Sequence, residues 1–279
     1  MHKTVQDIMK MKKEKKKISV ITSYDYTLAS LCDKAGIDVL LVGDSAGMVM
    51  LGYENTIPVT IEQMCMFTEA VSRARKGSLL VSDLPFMSYQ ASIEDAINNS
   101  GKLIKSGADA VKLEGGSIMA ETISAIVDVG IPVMGHIGLQ PQTTMLSEGY
   151  KVQGKTMDAA MKLIQDAKEL EDAGVFSIAL EMVSHEVAQI ISETVSVPII
   201  GIGSGVNCDG QVLVVQDLLG MYDKIKPKFA KRYMNLSEDI VKSLGDYRKD
   251  VESGAFPTKE NSFSMNEEEL KKLREQIGS

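Results

Sequence analysis

The sequence predicts an α/β fold, a single (β/α)8 TIM barrel, on three observations. The first is a recurring phrase. Gly36-Ile-Asp-Val-Leu-Leu-Val-Gly-Asp-Ser45 returns as Gly77-Ser-Leu-Leu-Val-Ser-Asp83, Gly107-Ala-Asp-Ala-Val-Lys-Leu-Glu114, Gly130-Ile-Pro-Val-Met-Gly-His136 and Gly174-Val-Phe-Ser-Ile-Ala-Leu-Glu181. Each opens on a glycine of the kind that stops helices, runs through a short buried strand, and ends on a polar or ionisable residue. The second is that eight strand segments alternate mostly with helices, and no Pro-, Gly- or Ser-rich linker divides the chain. The third is length, since 279 residues suit a barrel that typically needs about 250. An open doubly wound sheet is the runner-up, but no GxGxxG follows the first strand.

At the start, Val5, Ile8, Met9 and Met11 fall at helical spacing within residues 1–17, which predicts an amphipathic helix closing the bottom of the barrel. The lysines at 12, 13 and 15–17 read as a solvated helix end in preference to a phosphate site. Ile18–Thr22 is the first strand, residues 27–35 a helix, and Val39–Val42 the second strand. A glycine- and methionine-rich loop, Ala46 to Pro58, then suits a lid or substrate wall. Thr60 and Gln63 form a capping box for a helix whose Met64, Phe67 and Val71 share one apolar face.

Leu79–Ser82 is the third strand, and Ser92 with Asp95 marks the next helix start. Ala110–Leu113 and Pro132–Gly135 are the fourth and fifth strands, with a helix over 117–128 between them. A second long loop spans 137–156, followed by a helix over 157–173. The sixth strand is Phe176–Leu180, and a helix over 185–193 leads to the seventh, Pro198–Ile202. The eighth, Gln211–Val215, follows too closely for a full helix to intervene. Residues 226–279 read as a C-terminal helical extension.

A formal charge of −8 argues against nucleic acid or an anionic membrane surface as partner. The apolar runs are too short to span a bilayer, and the charged start lacks the core of a secretory signal. Cys32, Cys65 and Cys208 are scattered and odd in number, which suits reduced thiols and a cytoplasmic protein.

Asp44, Asp83 and Glu114 end the second, third and fourth strands. Any one alone reads as a strand-end cap. Three in register would repel unless a cation lies between them, and oxygen-only ligands suit Mg²⁺. Lys112, two residues before Glu114, points to the same side, toward an anionic substrate or a purely structural ion pair with Asp83 or Glu114. His136 ends the fifth strand, positioned to orient substrate, transfer protons or simply pack. Glu181, after apolar Ile178, Ala179 and Leu180, suits a general base, or a strand-end acid bound to a loop amide. Gly201-Ile-Gly-Ser-Gly205 is either a phosphate loop or a tight backbone turn.

Taken together, Tyr24-Asp-Tyr26, Val42-Gly-Asp-Ser45, Asp83-Leu-Pro-Phe-Met-Ser-Tyr89, Val111-Lys-Leu-Glu-Gly-Gly116, Gly135-His-Ile-Gly-Leu139, Gly149-Tyr-Lys-Val-Gln-Gly154, Ala179-Leu-Glu181, Ile200-Gly-Ile-Gly-Ser-Gly205 and Cys208-Asp-Gly-Gln-Val-Leu-Val214 resemble the 3-methyl-2-oxobutanoate (ketopantoate) hydroxymethyltransferase family over about residues 3–265. The resemblance implies transfer of a hydroxymethyl group from 5,10-methylenetetrahydrofolate to α-ketoisovalerate in pantothenate synthesis, in a homo-oligomer that is usually a homodecamer in bacteria. It implies Mg²⁺ held by Asp44, Asp83 and Glu114, substrate oxygens bound by Ser45 and Lys112, Glu181 as the base at C3, and His136 lining the site. Gln216 and Asn261 stand where the family commonly has histidine, and Ser184 where proline is common. These three bear on the folate side and on loop geometry. Relatives of phosphoenolpyruvate mutase and isocitrate lyase share the barrel and its acidic strand ends but lack the full motif series.

Overall fold

The strands β1 (Ile18–Thr22), β2 (Val39–Val42), β3 (Leu79–Asp83), β4 (Ala110–Glu114), β5 (Val133–Gly138), β6 (Ser177–Glu181), β7 (Ile199–Ile202) and β8 (Gly210–Leu213) form one closed parallel barrel in sequence order. The structure is a computed structural model that describes residues 2–144, 151–224 and 226–278. Side chains alternate along each strand, so every strand feeds two cores. Val20, Leu41, Val81, Ala110, Met134, Ala179, Ile200 and Val212 meet inside the barrel. Ile21, Leu40, Leu80, Val111, Ile178 and Leu180 pack outward beneath the helices.

The helix α1 (Val5–Lys13) closes the bottom as its periodicity predicts, with Ile8 fully buried in the inner cluster. Two lysines of the basic run, Lys12 and Lys17, reach back to the barrel. Lys12 Nζ donates to the carbonyls of Ser192 and Val197, each at 2.9 Å, and pairs with Asp209 at 2.9 Å, while Lys17 donates to the Cys208 carbonyl at 2.5 Å. These contacts fasten the plug to the barrel.

Next come α2 (Tyr26–Lys34), the single turn α3 (Ala46–Val49), α4 (Ile61–Ala74), α5 (Ile93–Lys105) and α6 (Ala120–Asp128). The capping box of α4 forms in both directions between Thr60 and Gln63, and Met64, Phe67 and Val71 are buried as their spacing predicts. At α5 only half the box appears, since Ser92 Oγ accepts from the Asp95 amide while the Asp95 carboxylate turns back onto Ser92 Oγ. Of the five phrase-opening glycines, Gly36, Gly107, Gly130 and Gly174 have φ between +80° and +105°, the left-handed stop expected of them. Gly77 differs because Asp33 ends that helix region instead, accepting from the amides of Lys76, Gly77 and Ser78.

The remaining helices are α7 (Pro141–Thr144), α8 (Met157–Asp172), α9 (His185–Thr194), α10 (Val215–Leu218), α11 (Leu236–Ser253) and α12 (Glu267–Ile277). Four sequence expectations need correction. The loop over 46–58 contains α3, and the expected loop over 137–156 contains the end of β5 and α7, while Gly149 and Tyr150 lie outside the described residues. His136 does not end its strand, because β5 continues through Gly138, paired with β6 as far as Glu181. Strand eight stops at Leu213, and Val215 opens α10, where its amide donates to Thr22 Oγ1 at 3.0 Å. The C-terminal α11 and α12 form as expected and bury no residue of their own.

Candidate active site

Register explains which side chains meet at the C-terminal mouth of the barrel. Asp83 on β3 lies opposite Lys112 on β4, and Glu114 lies opposite His136 on β5. Gly138 lies opposite Glu181 on β6. Gly138 has φ +95°, and a Cβ there would lie 2.2 Å from the Glu181 carbonyl oxygen, so only glycine lets β5 run this close beneath Glu181. Directly after Glu181, Met182 sits at φ +48°, a strained position for a side-chain-bearing residue, pinned by its amide bond to the Ile202 carbonyl.

The cavity so formed has a volume of about 390 Å³. Its floor is apolar, made by Val20, Leu41, Met134, Ala179, Ile200 and Val212, and its outer wall includes Asp217, Tyr222, Lys228 and Phe229. Between floor and wall lie Asp44, Ser45, Asp83, Lys112, Glu114, His136 and Glu181, so every sequence-predicted site residue lines one cavity. Ser45 Oγ shares a 2.8 Å hydrogen bond with the Tyr24 hydroxyl. Lys112 Nζ lies 2.8 Å from Asp83 Oδ1, both buried, and the Asp44 amide donates to Asp83 Oδ2 at 3.1 Å. His136 stands between two carboxylates, Nδ1 at 3.6 Å from Glu114 Oε1 and Nε2 at 3.4 Å from Glu181 Oε2, with neither ring nitrogen hydrogen-bonded.

Four carboxylates, Asp44, Asp83, Glu114 and Glu181, therefore face one buried ammonium. Burial, then the Asp83 charge, push the Asp44 carboxyl up to about 7, with Lys112 and Gln142 offsetting only part of this. Burial and the Asp44 charge raise Glu114 well above the usual carboxylate range. Burial opposes charge on Lys112, yet the charges of Asp83, Asp44 and Glu114 hold it above the ordinary lysine value.

One residue escaped the sequence reading. Gln142 on α7 is fully buried, and its Nε2 donates to Asp44 Oδ2 at 2.8 Å while its amide donates to Glu114 Oε2 at 3.0 Å. No periodicity marks it, since it follows Pro141 in what reads as loop. Asp44 Oδ1 and Glu114 Oε1 accept no hydrogen bond from any described residue, although no group of three or more His, Cys, Asp or Glu among the described residues is already arranged as a metal cage. These uncommitted, charge-crowded oxygens fit a hard divalent cation.

The glycine loop after β7 proves to be a packed turn. Gly203 abuts Phe229, Gly205 abuts His185, and Ser204 Oγ donates to the Leu180 carbonyl at 2.7 Å. Gln216 is buried with its Nε2 at 3.4 Å from Met50 Sδ and its Oε1 unpartnered. The Ser184 amide donates to the Gln153 carbonyl at 3.1 Å, a bond proline would forfeit. Asn261, exposed in a 3-10 turn, accepts from Thr258 and takes no part in the cavity.

Solved structures share this architecture. A phosphonopyruvate hydrolase complex with oxalate and Mg²⁺ superposes with a TM-score of 0.63 at 10% identity, covering 100% of this chain and 95% of that one. A 2,3-dimethylmalate lyase of the phosphoenolpyruvate mutase/isocitrate lyase superfamily gives 0.57 at 13%, covering 99% and 100%. At such identity the likeness shows the fold alone. Sequence relatives go further. The 3-methyl-2-oxobutanoate hydroxymethyltransferase of Nitrosopumilus maritimus (strain SCM1) is 89% identical over 279 residues, 100% of both chains. That of Cenarchaeum symbiosum (strain A) is 57% identical over 91% of this chain and 96% of its own, and that of Clostridioides difficile (strain 630) 50% over 98% and 100%. With the ketopantoate hydroxymethyltransferase family model matching residues 2–259 as well, the chain belongs to that family of hydroxymethyl transferases of pantothenate synthesis.

Proposed function

We propose that this chain transfers a hydroxymethyl group from 5,10-methylenetetrahydrofolate to 3-methyl-2-oxobutanoate (α-ketoisovalerate), giving 2-dehydropantoate through an enolate, with Mg²⁺ held by Asp44, Asp83 and Glu114. The observation that carries this reading is the excess of carboxylates over buried cations in one cavity. Bound there, Mg²⁺ supplies electrophilic stabilisation of the negative charge that develops on the 2-oxo acid.

The remaining work falls to the chain's own groups. Lys112 Nζ, held by Asp83, offers hydrogens to substrate oxygen, and Ser45 Oγ, steadied by Tyr24, offers a second donor. The apolar floor suits the isopropyl end of the substrate and keeps water from C3. Glu181 takes the C3 proton on its carboxylate, with His136 Nε2 beside it at 3.4 Å. The enolate carbon then bonds to the donor's one-carbon unit, which water has released from tetrahydrofolate at the formaldehyde level. The new alkoxide takes a proton to become the hydroxymethyl group. Tyr222 and Phe229 in the wall offer aromatic faces to the donor's flat ring.

We also assign the protein to the cytoplasm as a homo-oligomer, as the family resemblance implies. No helix among the described residues is long and apolar enough to cross a membrane. On α11 the side chains of Ile240, Val241, Leu244, Tyr247 and Val251 are exposed, which suits contact with other copies of the chain.

The test is loss of the C3 proton of α-ketoisovalerate in D₂O, followed by NMR with and without Mg²⁺. Metal-dependent exchange is expected in the wild type, falling by about 10²–10⁴-fold in Glu181→Gln. Undiminished exchange in the variant would remove Glu181 as the base. Absence of exchange in the wild type, even with tetrahydrofolate added, would overturn the reaction, and turnover of phosphonopyruvate or isocitrate would replace it.

A further inference from the structure

We propose that Gln142, oriented by Tyr89, is a positioning residue that sets the Asp44 and Glu114 carboxylates for the divalent cation; the inference rests on the metal assignment above. Gln142 uses its whole hydrogen-bonding capacity. Its Nε2 donates to Asp44 Oδ2 at 2.8 Å and to the Leu84 carbonyl at 3.0 Å. Its Oε1 accepts from the Tyr89 hydroxyl at 2.8 Å and from Gln90 Nε2 at 3.3 Å. Two hydrogens and two lone pairs are all occupied.

This pattern fixes the amide in one orientation. Turned over, Oε1 would face the Asp44 carboxylate and the Leu84 carbonyl, acceptor against acceptor, in a site closed to water. Tyr89 favours the same choice from the other side, its hydroxyl lying nearer to Gln142 Oε1, at 2.8 Å, than to the Glu114 carbonyl, at 3.1 Å. Its ring is buried, and its hydroxyl donates to Gln142 Oε1. The same hydroxyl accepts from the Glu114 amide at 3.1 Å, which ties the end of β4 into the network.

The consequence is a division of oxygens. Gln142 occupies Asp44 Oδ2 through its side chain and Glu114 Oε2 through its main chain, and the other oxygen of each carboxylate accepts no hydrogen bond from any described residue. A cation therefore meets carboxylates whose rotation is already restricted, and the ordering cost of binding is reduced. Because the bond to Glu114 comes from the main chain, a side-chain substitution removes the direct bond to the Asp44 carboxylate and keeps the one to Glu114. That makes the effect separable from a general collapse of the site.

The experiment measures Mn²⁺ binding to the metal-free full-length protein by electron paramagnetic resonance, alongside thermal unfolding with and without Mg²⁺. Gln142→Leu should weaken Mn²⁺ about 10- to 100-fold, the range typical when a ligand loses its outer partner. Tyr89→Phe, which removes one hydroxyl and keeps the ring, should weaken it less. The double variant should bind within about twofold of Gln142→Leu, since Tyr89 reaches the Asp44 carboxylate through Gln142 and otherwise touches only the Glu114 main chain. The Mg²⁺-induced rise in unfolding midpoint should shrink in the same order. A purely structural role would lower the metal-free midpoint and leave Mn²⁺ affinity within twofold of wild type, which would overturn the inference. If Gln142→Leu fails to fold, Tyr89→Phe decides by the same criterion. Failure of the wild type to bind Mn²⁺ would instead overturn the metal assignment, and this inference with it.

Discussion

The two ends of the barrel are built from the same eight strands and treat them in opposite ways. At the bottom, the inward residues are Ile18, Val39 and Leu79, and Ile8 of α1 fills the remaining space. At the top, the inward positions on the same strands or their neighbours carry Asp83, Lys112, Glu114, His136 and Glu181. The bottom gains stability from every residue it buries. The top gives stability up, because it buries carboxylates that raise one another's proton affinity and that one lysine only partly offsets. A fold can carry such a site only if the excess is supplied elsewhere, and the plugged end supplies it.

The largest effect that would break this contrast is Lys112→Met. Removing the buried ammonium leaves the carboxylates facing one another, and should cost about 3–5 kcal/mol in the metal-free protein, read from urea unfolding. Added Mg²⁺ should recover more stability in the variant than in wild type, since it replaces the missing positive charge. Equal recovery in both would mean that Lys112 and the cation do not share one electrostatic role. Next in size is Ile8→Ala at the opposite end, expected to cost about 2–5 kcal/mol through a cavity in the inner cluster. Its stabilisation by Mg²⁺ and its kcat, measured well below the unfolding midpoint, should match wild type. A changed kcat would show that the plug and the mouth are coupled.

The same contrast explains what could be read from sequence. The inner and outer cores were legible because apolar runs such as Val39–Val42 are bounded by glycine on one side and acid on the other. The strand-end acids were legible because the phrase repeats. The end of β5 was not, since Gly135 and Gly138 look like breakers, whereas the ladder with β6 continues through them. Nor was the stop of β8, because Val214 and Val215 extend a β-branched run. Their strand propensity yields to the bond from Val215 to Thr22 across the barrel closure. Gln142 was the hardest case: its importance lies wholly in partners on β4 and in the loops after β2 and β3, and its own neighbourhood in sequence reveals none of them.

The smallest effect expected, and the finest probe of the contrast, is Lys12→Met. This lysine is as well bonded as Lys112, to two carbonyls and to Asp209, yet it sits at the plugged end. Its loss leaves Asp209 still accepting from Ser192 Oγ at 3.0 Å and the Ile199 amide at 2.9 Å, so no charge is stranded. A loss of about 1–3 kcal/mol follows, read from urea unfolding, with metal response and turnover unchanged. A cost as large as that of Lys112→Met would mean that burial of a lysine, and not the excess of carboxylates around it, sets the energetics at both ends.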